Sequence, residues 1–186
     1  GQGPDPRYQI TQPVSLSAPA GGSITLPCAF TYPREIEPLR DLRVYWRRGG
    51  FYGEFIYNHT EGFTHPDYGS RIVLVGDPRG SRTASIRIDR LRESDAVVYV
   101  CQVRVQKQDD KWEQWRNVSG TNLTVTGAPP CPGFPHVTCS YPHWHLQGRG
   151  PGHQLPRDRV SAILCADSIT LALSGSATIT HPDPPT

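Results

Sequence analysis

The run Asp95-Ala96-Val97-Val98-Tyr99-Val100-Cys101-Gln102-Val103-Arg104 constrains the fold of this chain more than any other stretch. From Val97 to Val105 the residues alternate in type, the period of a strand with one face in a core. Val97, Tyr99, Cys101, Val103 and Val105 are predicted to point inward, and Gln102 and Arg104 outward. The partner of such a cysteine is expected far upstream, with a tryptophan between.

Cys28, in the alternating run Ser23 to Phe30, and Trp46, in Leu42 to Arg47, complete a recognisable set. Cys, Trp, or Tyr-x-Cys alone is common. Together, with Asp95 four residues before Tyr99, they are the marks of an immunoglobulin-type sandwich. In that fold the tyrosine hydroxyl bonds back to upstream backbone and the two cysteines bridge the facing sheets, so a Cys28 to Cys101 disulfide is expected. Arg71 and Asp95 are expected to pair at the bottom of the sandwich.

The remaining segments fit the same plan. Tyr8 to Leu16 reads as an edge strand interrupted by Pro13, where proline is tolerated. Arg48-Gly49-Gly50-Phe51-Tyr52-Gly53 is a turn into a strand at Glu54 to Asn58. Arg71 to Val75 and Thr83 to Ile88 alternate on either side of the turn Asp77-Pro78-Arg79-Gly80. Gln106 to Asn117 is polar and reads as the loop before the last strand, Gly120 to Thr126. About nine short strands, with an extra segment after the Trp46 strand, predict an all-β, variable-type sandwich over residues 1–127.

Residues 128–186 differ: 15 of 59 are Pro or Gly, and five of the seven histidines fall there. This composition predicts an irregular, disordered tail. Cys131, Cys139 and Cys165 are an odd number, which allows a disulfide-linked oligomer. Their spacing with His136, His143 and His145 matches no zinc pattern, so no metal is expected.

Composition narrows the function. Residues 1–127 carry 16 Lys or Arg against 14 Asp or Glu, and residues 128–186 carry three of each, too even a balance for a nucleic-acid stripe. Five cysteines, 19 prolines and sequons at Asn58, Asn117 and Asn122 predict an extracellular, glycosylated protein. Neither a methionine nor an apolar signal opens the chain, which reads as a processed form. The longest apolar stretch, Val160 to Leu173, is short of the ~18–20 residues a spanning helix needs and contains Asp167. With no nucleophile elbow, metal-ligand pair or phosphate loop, neither catalysis nor a cofactor is expected.

Function on a sandwich lies on a face or its loops. With Trp46 inward, Arg43, Tyr45 and Arg47 turn outward beside Gln102 and Arg104. Trp112, Gln114 and Trp115 can fold over the same surface, with Tyr8 at its edge. Guanidinium forks bind carboxylates through paired hydrogen bonds, and flat rings pack against sugars or methyl groups. Such a face suits an acidic sugar or an acidic protein patch.

Tyr8-Gln9-Ile10-Thr11-Gln12-Pro13, Val44-Tyr45-Trp46-Arg47-Arg48-Gly49, Asp67-Tyr68, Val98-Tyr99-Val100-Cys101, Glu113-Gln114-Trp115 and Gly120-Thr121 resemble the ectodomain of the paired immunoglobulin-like type 2 receptors. These are cousins of the sialic-acid-binding immunoglobulin-like lectins. The resemblance implies an immune-cell receptor recognising sialylated O-linked glycans with their peptide, through residues at Tyr8, Trp46, Arg47 and Trp115. Its carboxylate-gripping arginine falls here on Gln102, so Arg104, two residues on, is the expected substitute. The alternative is a protein-binding domain that has lost the sugar. Cys28 departs from relatives with an apolar residue there. The tail lacks the stalk, membrane helix and signalling motifs of such receptors, which suits a soluble form or a read-through sequence.

Overall fold

A computed structural model describes residues 5–128, 130–131, 134–140 and 164–165. Twelve strands build the sandwich: β1 Gln9–Thr11, β2 Ser15–Pro19, β3 Ile24–Leu26, β4 Ala29–Thr31, β5 Asp41–Arg48, β6 Glu54–Asn58, β7 Phe63–Thr64, β8 Ile72–Leu74, β9 Ile86–Ile88, β10 Val98–Gln106, β11 Trp112–Arg116 and β12 Thr121–Thr126. The larger sheet runs β2-β12-β10-β5-β6-β7, with β11 also paired to β10. Strands β3-β9-β8 form the other sheet, and β1 pairs with β4. β10 and β5 hold register over eight residue pairs, from Tyr99 opposite Arg48 to Gln106 opposite Asp41.

The inward set behaves as its alternation demands. Tyr99, Cys101, Val103 and Val105 are fully buried with Trp46, Leu26, Ile86 and Ile88. Cys28 and Cys101 form the inter-sheet disulfide, and the Trp46 indole donates to Ala84 O at 2.8 Å. Burying the flat indole would be costly without that acceptor.

One end of the sandwich is closed by charge. Arg71 and Asp95 meet through two bonds of 2.7 and 3.0 Å, and both side chains are almost wholly buried. The Tyr99 hydroxyl donates to Asp95 O at 2.8 Å and lies 2.9 Å from the Tyr68 hydroxyl. Burial pushes both phenols above the ordinary tyrosine range.

The edge strand expected from Tyr8 to Leu16 is divided between two partners. Pro13 has no N–H to continue a ladder, so β1 stays with β4 and β2 crosses to run parallel to β12. The Gln12 side chain fills the gap. Its Oε1 accepts from Cys101 N at 2.9 Å, and its Nε2 donates to Tyr99 O and Thr121 Oγ1 at 3.1 Å each.

The predicted loop at Gln106–Asn117 is instead a hairpin. β10 extends through Gln106, Lys107 N donates to Lys111 O, Asp110 takes a left-handed φ of 64°, and β11 returns in register from Trp112 to Arg116. The polar Glu113 stands opposite inward Val105, which erased the apolar alternation a strand normally shows. Gly120, at φ 69°, then steps the chain from β11 to β12. A Cβ there would lie 2.7 Å from Tyr99 O.

In the tail, short strands Pro130–Cys131, Phe134–Ser140 and Leu164–Cys165 pair in sequence order. Cys131, Cys139, Cys165 and His136 lie on these strands, while His143, His145 and the rest of the tail, on which the expectation of disorder mainly falls, lie outside the described residues. Among the described residues no helix is long and apolar enough to cross a membrane.

Candidate functional site

The outer face of β11-β10-β5-β6 gathers the sheet's arginines. Cross-strand register places Arg116, Gln102 and Tyr45 in one row and Gln114, Arg104 and Arg43 in the next. Arg47 and Phe55 are paired across β5 and β6.

These arginines divide by what compensates them. Arg43 is paired to Asp41 at 2.8 Å and Glu61 at 3.2 Å, and the Asp41 bond holds its pKa above the ordinary value. Arg48, at the same strand's end, is paired to Glu54 and Asp67 at 2.7 and 2.6 Å. Arg47, Arg104 and Arg116 make no ion pair with any described carboxylate. Instead each lies over a ring: Arg47 is 3.9 Å from the Phe55 centroid, Arg104 4.3 Å from Trp112, and Arg116 3.8 Å from Phe51. A ring face holds a cation while leaving its N–H groups available to an anion.

Gln102 requires a correction. It sits on the outer side of the sheet, as expected, yet only 5% of it is exposed. The reason is Arg47, whose Nε donates to Gln102 Oε1 at 2.9 Å and whose Nη1 donates to Gly53 O at 2.6 Å. Gln102 therefore supports Arg47 rather than presenting its own amide. Gly53 must be a glycine for the turn to close against β5, since a Cβ there would be 1.8 Å from Arg48 O.

Trp115 and Tyr8 are also placed differently from the expectation. Trp115 is opposite inward-facing Val103, so its ring turns to the core side. It packs edge-on against Tyr8 at 5.0 Å and Phe30 at 6.3 Å and donates to Gln9 O at 3.1 Å. The two rings thus join each other and plug the gap between β11 and β1, away from Arg104 and Arg47. Gln114 is exposed beside Arg104, and Trp112 lies between Arg43 and Arg104 at 5.2 and 4.3 Å.

Sequence reasoning missed Arg116, Phe51, Tyr52 and Phe55. The signal was present: reading Trp112, Gln114 and Arg116 with period two would have put Arg116 on the outer face. Tyr52, 88% exposed, stands at the tip of the β5-β6 turn, with Arg116 5.4 Å from its centroid.

The three sequons occupy unlike surroundings. Asn122 is exposed on β12. Asn58 is 4% exposed and accepts from Glu61 N. Asn117 donates to Ile10 O at 2.9 Å and accepts from Gly120 N at 2.6 Å, tying the β11 to β12 step to β1.

Residues 11–126 match the model of the immunoglobulin V-set domain. The chain belongs to the immunoglobulin V-set family. It is similar to paired immunoglobulin-like type 2 receptor alpha of Mus musculus, 34% identical over 65% of this chain and 39% of the relative. It is 32% identical to receptor beta-2 of the same group from Mus musculus, over 65% of this chain and 53% of the relative. Sialic acid-binding Ig-like lectin 15 of Homo sapiens is 31% identical over 68% and 39%. The matched part thus spans about two fifths to one half of these relatives. A solved structure of murine CRIg covers 64% of this chain and 98% of its own, with 21% identity and a TM-score of 0.50, a likeness of fold. This V-set domain is receptor-like and related to these immune receptors and lectins; its family is one of binding domains rather than enzymes.

Proposed function

We propose that this V-set domain, residues 1–127, is the extracellular ligand-binding part of an immune receptor and recognises sialylated glycoproteins through the outer face of β11-β10-β5-β6. The observation that carries this reading is that Arg47, Arg104 and Arg116 share one face without an acid partner among the described residues, while Arg43 on the same sheet has two. Three guanidinium groups held over rings are kept extended and hydrated on one side, ready to exchange water for a carboxylate. Two of the similar proteins are named receptors and a third a sialic acid-binding lectin, which supports the same ligand class.

Gln114 borders Arg104 and contributes an amide to the proposed face. Tyr8 and Trp115 act indirectly in this reading, by fixing β11 against β1 and so fixing Arg116. Asn122 is the favoured N-glycan acceptor because its side chain is exposed, whereas the amides of Asn58 and Asn117 are engaged. Secretory passage follows from the disulfide and from that glycan.

The test is binding of the full chain to untreated and sialidase-treated cells. Binding should fall at least tenfold after treatment. Binding that ignores sialidase replaces this reading with recognition of an acidic protein patch, for which exposed Phe55 and Tyr52 would be the apolar anchors.

A further inference from the structure

We propose that the carboxylate seat of this face is the pair Arg47 and Arg116, with Arg104 beside it in a lesser role. The inference rests on the sialoglycoprotein reading above and names the atoms that would grip the acid. Gln102 is the hub. Arg47 donates to its Oε1 from β5, and Arg116 stands opposite it on β11, so both cations converge over one buried amide.

Charge separates this pair from its neighbours. Arg104 and Arg43 are opposed across β10 and β5, and Arg43 brings Asp41 and Glu61 with it, so two cations meet two carboxylates. Around Arg47 and Arg116 no described carboxylate comes within ion-pair distance. Burial holds the Arg47 pKa below its ordinary value, and the nearby Arg116 charge adds to that. Two uncompensated guanidiniums repel, and an anion bound between them removes the repulsion as well as gaining its own bonds.

The donors also fit. Arg47 spends Nε on Gln102 and Nη1 on Gly53, which fixes its plane and leaves Nη2. Arg116 makes no hydrogen bond to a described residue and is steadied only by Phe51 and Tyr52. Its fork can take both oxygens of a carboxylate while Arg47 Nη2 takes one of them. The apolar face of a sugar ring carrying that carboxylate then has Tyr52, exposed at the turn tip, to pack on. A lone aspartate or glutamate side chain has no such flat face to offer.

The experiment measures binding of the full chain to an immobilised sialylated, O-glycosylated mucin before and after sialidase. Variants are Arg116→Gln, Arg116→Lys and Arg104→Gln, with Arg87→Gln on β9 of the other sheet as the control. Sialidase-sensitive binding that falls at least tenfold in Arg116→Gln, about threefold in Arg104→Gln and not in Arg87→Gln supports the seat. Arg116→Lys, which keeps the charge and loses the fork, should fall between. Near-ultraviolet circular dichroism and the unfolding midpoint must match the parent protein, which the half-buried Arg116 allows because its side chain makes no ion pair with a described residue. If binding is sialidase-sensitive yet Arg116→Gln changes it less than twofold, the seat is overturned and the sialoglycoprotein reading stands. If no binding responds to sialidase, that reading falls and takes the sugar seat with it.

Discussion

Two of the arginines that lie over an aromatic ring, one at the closed end of the sandwich and one on its outer face, have opposite outcomes. At the closed end Arg71 lies 5.1 Å from the Tyr68 centroid and is clamped by both oxygens of Asp95. On the outer face Arg116 lies 3.8 Å from Phe51 and has no described acid. The ring contact is shared, so it does not decide the role. What decides it is whether the fold supplies the anion. Where it does, the charge can be buried and becomes structure; where it does not, the charge must stay solvated and waits for a ligand.

The sharpest way to break this contrast is Asp95→Ala. It would leave the Arg71 charge buried without compensation and should cost about 3–5 kcal/mol in urea unfolding followed by far-ultraviolet circular dichroism. A loss under about 1 kcal/mol would mean that the closed end is held by packing alone, and the two regions would differ only in exposure.

Gln12→Leu comes next. It leaves Cys101 N and Tyr99 O beside the closed end without their side-chain partner, and should cost about 2–3 kcal/mol by the same measurement. An unchanged midpoint would show water replacing the amide and would remove Gln12 from the account of how β10 is held.

The phenols behind Asp95 sharpen the comparison through pH. Tyr99 has a folded pKa raised first by burial, then by its bond to Tyr68. A group with a raised folded pKa contributes stability that is full below its unfolded pKa and is lost as pH climbs toward the folded value. For tyrosine that loss begins near pH 10 and should reach about 2 kcal/mol by pH 11.5. Tyrosinate absorbance at Tyr99 should appear only with unfolding; an early, reversible titration would mean that the closed end admits solvent.

The smallest effect is expected on the outer face. Arg116→Gln should alter stability by less than about 0.5 kcal/mol, because it breaks no hydrogen bond or ion pair with a described residue, and the lost contact with Phe51 is offset by relief of repulsion with Arg47. A larger destabilisation would make Arg116 a structural residue and erase the distinction between the two regions.

Legibility followed the same division. The alternation around Tyr99 and Cys101, with Cys28 and Trp46, predicted the sandwich, its disulfide and the Arg71 to Asp95 pair, because each depends on residue type at a fixed spacing. The outer face was half legible. Arg47 and Arg104 followed from strand period, while Arg116 was hidden in a segment whose polar Glu113 masked a strand. Trp115 was misjudged for the same reason: a one-residue difference in register turns a side chain through the sheet.

By itself the sequence determined the class of fold and which chemistry was in hand: arginines, rings, one inter-sheet bridge and a Pro/Gly-rich tail. Only the tertiary structure decided which arginines lack acids. That depends on Asp41 and Glu61 meeting Arg43 from strand and turn while no carboxylate reaches Arg47 or Arg116 among the described residues. Strand period fixes the side of a sheet a residue faces, since it is local. Charge compensation needs side-chain distances as well: Asp41 is two residues from Arg43 on the same strand, but Glu61 reaches it only through the β6 to β7 turn, and the lack of an acid near Arg47 and Arg116 follows from how several strands and turns meet.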